Sequence, residues 1–245
     1  MIHRPKHSRS MRISVLMPIY ATPVEWVQEA VDSILAQSFQ DFQLVIVDDN
    51  NPAGPLYNYL QWLDVAFLRV TLVRKFKNEG IAAALNFGLK FCSGDLVVRM
   101  DADDIAHTDL LMYHNWFFKL YPYRQVCGIQ IRLFNNEREW YSHHPAEVTR
   151  KVAAGMPGHW FINHPGVCFQ RDTLLKLGGY NPTPSHLAED YSLWIKYLLN
   201  GHTLYNMEAV LMDYRVHPKS FSFAPDRKSP EWHQFLAEQK SLLDE

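Results

Sequence analysis

"DLVVRMDADD", residues 95–104, joins a short apolar run, Leu96 to Val98, to three carboxylates at Asp101, Asp103 and Asp104. An apolar run of this length without polar alternation is the pattern of a strand buried on both faces. In extended backbone Asp101 and Asp103 project to the same side. Two carboxylates on one side repel unless a cation lies between them, and hard oxygen ligands suit Mg2+ or Mn2+. The same letters also describe a solvated turn in which Asp104 or Thr108 caps the next helix. The stretch alone leaves both readings open.

Working outward, the same pattern recurs upstream. "RISVLMP" (12–18), "FQLVIVDD" (42–49) and "FLRVTLV" (67–73) read as further buried strands. Between them lie helical stretches. "PVEWVQEAVDSILAQ" (23–37) carries Val24, Val27, Val31, Ile34 and Leu35 on one stripe, and "GPLYNYLQWL" (54–63) and "EGIAAALNFGLKFC" (79–92) follow. Strands alternating with helices over short connections predict an α/β fold with a mostly parallel central sheet, flanked by helices on both faces. Neither GxGxxG nor GxxxxGK[ST] occurs, so no dinucleotide fingerprint or P-loop is indicated.

The second half is less regular. A helix is expected over "TDLLMYHNWFFKL" (108–120), a strand pair around "RQVCGIQIRLF" (124–134), and a loop over "NNEREWYSHHPAE" (135–147). A short strand, "HPGVCFQ" (164–170), precedes a helix ending at Gly178 and Gly179 and a second helix in "AEDYSLWIKYLLNG" (188–201). Leu187, Tyr191, Trp194, Ile195 and Leu198 fall on one stripe of the latter and read as core. Strand-like "AVLMDYRVH" (209–217) and an amphipathic helix, "SPEWHQFLAEQKSLL" (229–243), follow.

The whole chain bounds these readings. Its 245 residues, 47% hydrophobic, suffice for one large domain. A formal charge of −2, from 24 basic and 26 acidic residues, gives no basic surplus and disfavours nucleic acid as a partner. Cys92, Cys127 and Cys168 are odd in number and form no CxxC pair, which fits a reducing, cytoplasmic compartment. Residues 1–10 read as a flexible basic tail; the apolar run Ile13 to Met17 stops at Pro18, too short for a signal peptide, and Met11 is an alternative start. No apolar stretch approaches the ~18 residues that cross a bilayer.

In open parallel sheets, ligands bind beyond the carboxyl ends of the strands. Those ends read "PIY" (18–20), "DDNN" (48–51), "NEG" (78–80) and "DADD" (101–104). Taken together with "HPGVCFQRDTLLKLGGY" (164–180), "AEDYSLWIKYL" (188–198) and "YRVHPKSFS" (214–222), their order resembles the inverting glycosyltransferase family 2, of the GT-A fold, over about residues 12 to 222. One departure stands out: family members often carry "DDGSxD" after the second strand, where this chain has "DDNNPAGP".

What the resemblance implies is a metal-dependent transfer of a sugar from a nucleoside-diphosphate donor, UDP-linked by preference, to a hydroxyl of a glycan or lipid-linked saccharide acceptor. It divides the chain into a nucleotide-binding half over about 11–105, an acceptor-binding half over about 106–225 and a C-terminal helix over 229–245. Pro18, Ile19 and Tyr20 would lie along the base. Asp48 or Asp49 would accept from base or ribose, although either residue equally caps a helix. Asn78, Gly80 and Asn86 match the family's "NxG…N" segment near the nucleotide. Asp101 and Ala102 would face the nucleotide sugar, Asp103 would bind Mn2+ or Mg2+, and Asp104 would stand close to donor or metal. Glu189 and Asp190 match the family's "ED" motif, in which the aspartate is the general base; acidic first-turn residues also occur for helix stability alone. His217 matches a metal-binding histidine, and Arg215, two residues away, would meet a phosphate if the segment is extended. Without that match His217 reads as a surface histidine before a proline. His164 is assigned to the acceptor side with Glu189, while His143, His144 and His159 lie in the irregular region.

Two other classes stay open at this level. "DADDI" bears comparison with the DxDx[TV] nucleophile of haloacid-dehalogenase-like phosphatases, but Ile105 stands where threonine or valine is wanted. A noncatalytic sugar-nucleotide-binding protein is the other, since fold alone does not guarantee turnover. The basic tail and the terminal helix with Trp232 are expected either to touch the cytoplasmic face of a membrane peripherally or, for the helix, to close over the core or mediate homo-oligomerisation.

Overall fold

The computed structural model describes residues 11–156, 161–182, 189–218, 220 and 230–244. The expected tail, His159 and Leu187 lie outside the described residues. The first strands are β1 (Ile13–Ile19), β2 (Phe42–Asp48), β3 (Val70–Arg74) and β4 (Leu96–Arg99), all parallel, with β1 between β2 and β4. Their helices are α1 (Val24–Leu35), α2 (Pro55–Ala66) and α3 (Ile81–Leu89).

Both faces of these strands are covered, which explains their unbroken apolar runs. On β1, Ile13, Val15, Met17 and Ile19 join the core under α1 and α2, while Leu16 points to the opposite core. On β2, Leu44 and Ile46 alternate with Val45 and Val47 in the same way. Above that second face, α3 approaches so closely that a Cβ on Gly88 would sit 2.4 Å from Leu16 Cδ1 and 2.5 Å from Val47 Cγ2. Glycine is what lets the helix rest on the sheet.

The second half contributes β5 (Ile105–Ala106), α4 (Leu110–Leu120), β6 (Val126–Phe134), β7 (Glu139–Tyr141), β8 (Glu147–Val148), α5 (Arg150–Ala154), β9 (Cys168–Gln170), α6 (Arg171–Lys176), α7 (Glu189–Leu199), β10 (Leu204–Arg215) and α8 (Pro230–Asp244). The strand order is β3-β2-β1-β4-β9-β6-β10-β5, with β7 on β6 and β8 on β10. Strand β9 runs antiparallel to both β4 and β6, whereas β10 and β6 are parallel. No antiparallel ladder among the described residues exceeds three residue pairs, so the sheet is parallel over most of its length.

One local expectation is corrected, two short elements carry no sequence signal, and the alternatives for the last helix are narrowed. "RQVCGIQIRLF" forms one strand, β6, and finds its hairpin partner in β7, inside the stretch read as loop. Strand β5 and helix α5 are too short for any periodic signal. The terminal helix α8 packs Trp232 and Leu243 into the core with α7 and α5. Its tryptophan is thus spent inside the fold rather than held out to a surface.

Candidate functional site

The ends of β1, β2 and β4 meet on one side of the sheet, where the described residues enclose a cleft of about 520 Å³. Pro18, Ile19 and Tyr20 line it from β1, Asp49 from β2, and Asn78 and Gly80 from the approach to α3. Arg99, Asp101, Ala102 and Asp103 enter from the end of β4, and His164, Glu189 and Asp190 complete the lining from the second half. Most residues predicted from sequence for this region therefore do face one space.

Three of them, Asp48, Asn86 and Arg215, are engaged elsewhere, and Asp104 lies beneath the cleft lining. Asp48 is buried and does not line the cleft: its Oδ1 accepts from Asn51 N at 2.7 Å and Asn51 Nδ2 at 2.8 Å. Asn51 in turn donates to Ile19 O and accepts from Ala21 N, so Asp48 and Asn51 together lock the loops after β1 and β2. Asn86 also turns away. Its amide accepts from Tyr180 N at 2.9 Å and donates to Tyr180 O at 2.8 Å, which fastens α3 to the second half, and it does not line the cleft. Arg215 does not line the cleft either. Its Nε donates to Asp103 O at 3.0 Å, its Nη2 pairs with Glu29, and its guanidinium lies over Trp26 and Phe134. Asp104 is wholly buried beneath the loop, with Oδ1 accepting from Arg215 N at 2.9 Å. Strand β10 ends at Arg215, so the extended geometry that would align its side chain with His217 stops there.

Asp101, Asp103 and Asp104 each offer an oxygen within 4.8 Å of the others. His217 Nε2 stands 3.0 Å from Asp103 Oδ2, and its ring packs on Trp26 with centroids 4.7 Å apart. Buried Asp104 Oδ2 has no hydrogen-bond partner. Burial, opposed by Arg99 and reinforced by Asp103, pushes the Asp101 carboxyl up to about 6. Burial and the neighbouring Asp101 and Asp103 charges hold Asp104 well above the usual carboxylate range. Crowded oxygens, one of them orphaned, fit a hard divalent cation, which would offset both the burial and the mutual repulsion that raise these groups.

The lining from the second half is a connected polar set. His164 Nε2 lies 2.9 Å from the Tyr180 hydroxyl, and Nδ1 faces Glu189 at 3.5 Å. Burial and the nearby Arg99 hold His164 well below its ordinary pKa, so it is a neutral imidazole here. Asp190 sits in the first turn of α7 and accepts from Tyr191 N at 2.8 Å through Oδ1; a helix N-terminus favours a carboxylate at that place. His144 is engaged with Asn163 at 3.0 Å and His143 is exposed, away from the cleft.

Sequence reasoning missed several residues. Arg99 is buried in the cleft floor and forms a two-contact ion pair with Asp101. Its signal was a charge ending an otherwise apolar strand. Lys75, also buried, pairs with Asp49 at 2.8 Å and fixes that carboxylate at the cleft edge. Tyr180 could be found only through its contacts.

The sequence model described as glycosyl transferase family 2 matches residues 14–177. A curated relative from Escherichia coli, a UDP-Gal:alpha-D-GlcNAc-diphosphoundecaprenol beta-1,3-galactosyltransferase, is 30% identical over 83% of this chain and 74% of its own length. Another Escherichia coli protein, the O-antigen biosynthesis glycosyltransferase WbnJ, is 27% identical over 85% of this chain and 81% of its length. Among solved structures, S. aureus TarS 1-349 in complex with UDP-GlcNAc superposes with a TM-score of 0.73 at 20% identity, covering 95% of this chain. This chain spans 66% of the length of that fragment. The mannosyltransferase PcManGT from Pyrobaculum calidifontis, in complex with GDP-Man and Mn2+, gives a TM-score of 0.65 at 19% identity, over 98% of this chain and 72% of its own. Likenesses at that identity speak for the fold alone, which is GT-A.

Proposed function

This chain belongs to glycosyl transferase family 2, as a glycosyltransferase built on the GT-A fold, and from that premise we propose that it moves a sugar, with inversion, from a UDP-linked donor to a hydroxyl of a lipid-linked saccharide. The observation that carries this reading is the cleft itself, whose lining brings Asp101 and Asp103 together with Glu189 and Asp190. UDP is chosen because a relative is named for UDP-Gal and a fold neighbour holds UDP-GlcNAc; the lipid-linked acceptor is chosen because that same relative is named for a diphosphoundecaprenol substrate.

Tyr20 and Ile19 offer the base an apolar wall, and Asp49, held by Lys75, offers an acceptor for an imide or hydroxyl donor. Asp101, Asp103, Asp104 and His217 would hold a Mn2+ or Mg2+ ion, which when bound supplies Lewis-acid neutralisation of charge on the departing diphosphate. Arg215 keeps the ligand loop in shape through Asp103 O and Asp104 Oδ1. Asp190 takes the proton of the acceptor hydroxyl as its oxygen attacks the anomeric carbon from the side opposite the leaving phosphate. The His164, Tyr180 and Glu189 set keeps the N-terminal turn of α7 in register with that attack. Neutral His164 leaves the negative charge of that part of the lining to the two carboxylates.

The test is Asp190→Asn, which preserves shape and removes basicity. Transfer should fall by about 10²–10⁴-fold, with UDP affinity within twofold of wild type by calorimetry. Turnover within tenfold of wild type would remove Asp190 from the base role. Phosphate release from a simple phosphomonoester would turn the reading towards a phosphatase.

A further inference from the structure

Helix α4 carries large apolar side chains on its outward face as well as its inward one. Leu110, Leu111, Phe117 and Phe118 are buried against the sheet, yet the outward positions carry Met112, Tyr113, Trp116 and Leu120, continued by Tyr121 and Tyr123. Trp116 is 60% exposed and Tyr123 is 92% exposed. From residue 110 to residue 123 there is no acidic residue, and Lys119 is the one charged side chain. Arg124, at the end of the stripe, is compensated by Glu147 at 3.2 Å and lies over the Tyr121 and Tyr205 rings. A helix on a protein surface normally turns charged residues to water, so this one is built for another surroundings.

We propose that the outward face of α4 docks on a lipid surface, in the reading that the acceptor saccharide is lipid-linked. Tryptophan and tyrosine with an apolar body and a polar tip suit the headgroup boundary, and a lone lysine among them suits anionic lipid. A second copy of the chain fits less well. One face of an 11-residue helix is about 16 Å long and about 10 Å wide, a small part of the ~800 Å² per partner that a stable interface buries. A bilayer needs no matching partner surface of that extent. Helix α8, the element whose sequence pointed to membranes, has its own Trp232 buried against the fold and is not free for this role.

The test uses the full chain and vesicles of phosphatidylethanolamine with phosphatidylglycerol, free of donor and of any saccharide lipid. Wild type should sediment with the vesicles. The double substitution Trp116→Ser with Leu120→Gln should weaken partitioning by about tenfold or more, at an unchanged thermal midpoint. Lys119→Gln should weaken it by about fivefold on these vesicles and leave it unchanged on phosphatidylcholine alone. Wild type that stays in the supernatant, or a double variant that sediments as strongly as wild type, overturns the proposal. A concentration-dependent dimer abolished by the double substitution, without vesicle binding, overturns it in favour of a second copy. Transfer to a water-soluble acceptor analogue, measured in parallel, reads the function separately: transfer without vesicle binding overturns only the docking face, and vesicle binding without transfer supports the face while counting against the proposed reaction.

Discussion

His114 offers a quantitative test of how the cleft is supported from behind. It is fully buried on α4, and its Nε2 lies 2.8 Å from Gly166 O, the turn that carries His164 into the cleft. Gly166 N donates to Arg99 O at 2.9 Å, so α4 braces both the turn and the strand before the aspartates. With Nε2–H donating to Gly166 O, Nδ1 has no hydrogen-bond partner, and protonating it would bury an unpaired N–H. Burial accordingly lowers the His114 pKa to about 4, from 6.5 in the unfolded chain. The unfolded state then binds the extra proton first as pH falls. Stability from this group is complete above pH ~6.5 and declines down to pH ~4, by roughly 3 kcal/mol in all and by about 2 kcal/mol at pH 5.0. Two kcal/mol corresponds to about 4–8 °C in melting midpoint for a domain of this size.

His114→Gln places an amide N–H where Nε2–H was and removes the proton site. His164, also depressed, adds a loss of the same sign, while Asp101 and Asp104, both raised, contribute in the opposite direction. These groups are common to both proteins, so the difference between wild type and His114→Gln isolates His114. Between pH 7.5 and 5.0, wild type should lose about 2 kcal/mol more than the variant in urea unfolding. Equal losses in the two proteins would refute the argument, whatever the absolute stability of either.

Two further outcomes follow from the placement of single side chains. Asn86→Ala should cost about 2–3 kcal/mol of stability by leaving Tyr180 N and O unpaired, and should leave UDP affinity unchanged by calorimetry; a loss of UDP affinity at unchanged stability would return Asn86 to the nucleotide site. Chelation with EDTA should abolish transfer and Mn2+ should restore it, with His217→Ala raising the half-saturating Mn2+ concentration by about 10–100-fold in a titration of activity; an unchanged Mn2+ requirement would take His217 out of the ligand set.

The first half of the fold was legible because its strands are buried on both faces and its helices carry regular stripes, so periodicity alone separates them. The second half was not, since β5, β8 and α5 are two to five residues long and take their form from neighbours rather than from local pattern. Among site residues, those on strand ends could be placed because parallel topology sends those ends to one edge. The residues that hold that edge together were illegible. Asp48, Asn86 and Arg215 have side chains suited equally to a ligand and to the backbone, and only the nearest partner decides between them.

The sequence by itself determined the alternation of strands and helices from β1 to β4, the acidic cluster at the end of β4 and the acidic first turn of α7, because hydrophobic period and charge placement are written residue by residue. Only the tertiary structure decided that Asp103 and His217, 114 positions apart, stand 3.0 Å from each other, that Arg99 is the cation beneath Asp101, and that Trp116 rather than Trp232 faces outward. The physical reason is that a polar side chain takes the partner that packing brings within about 3 Å. Which helix face is covered likewise depends on what folds over it, and neither is encoded in any single stretch of chain.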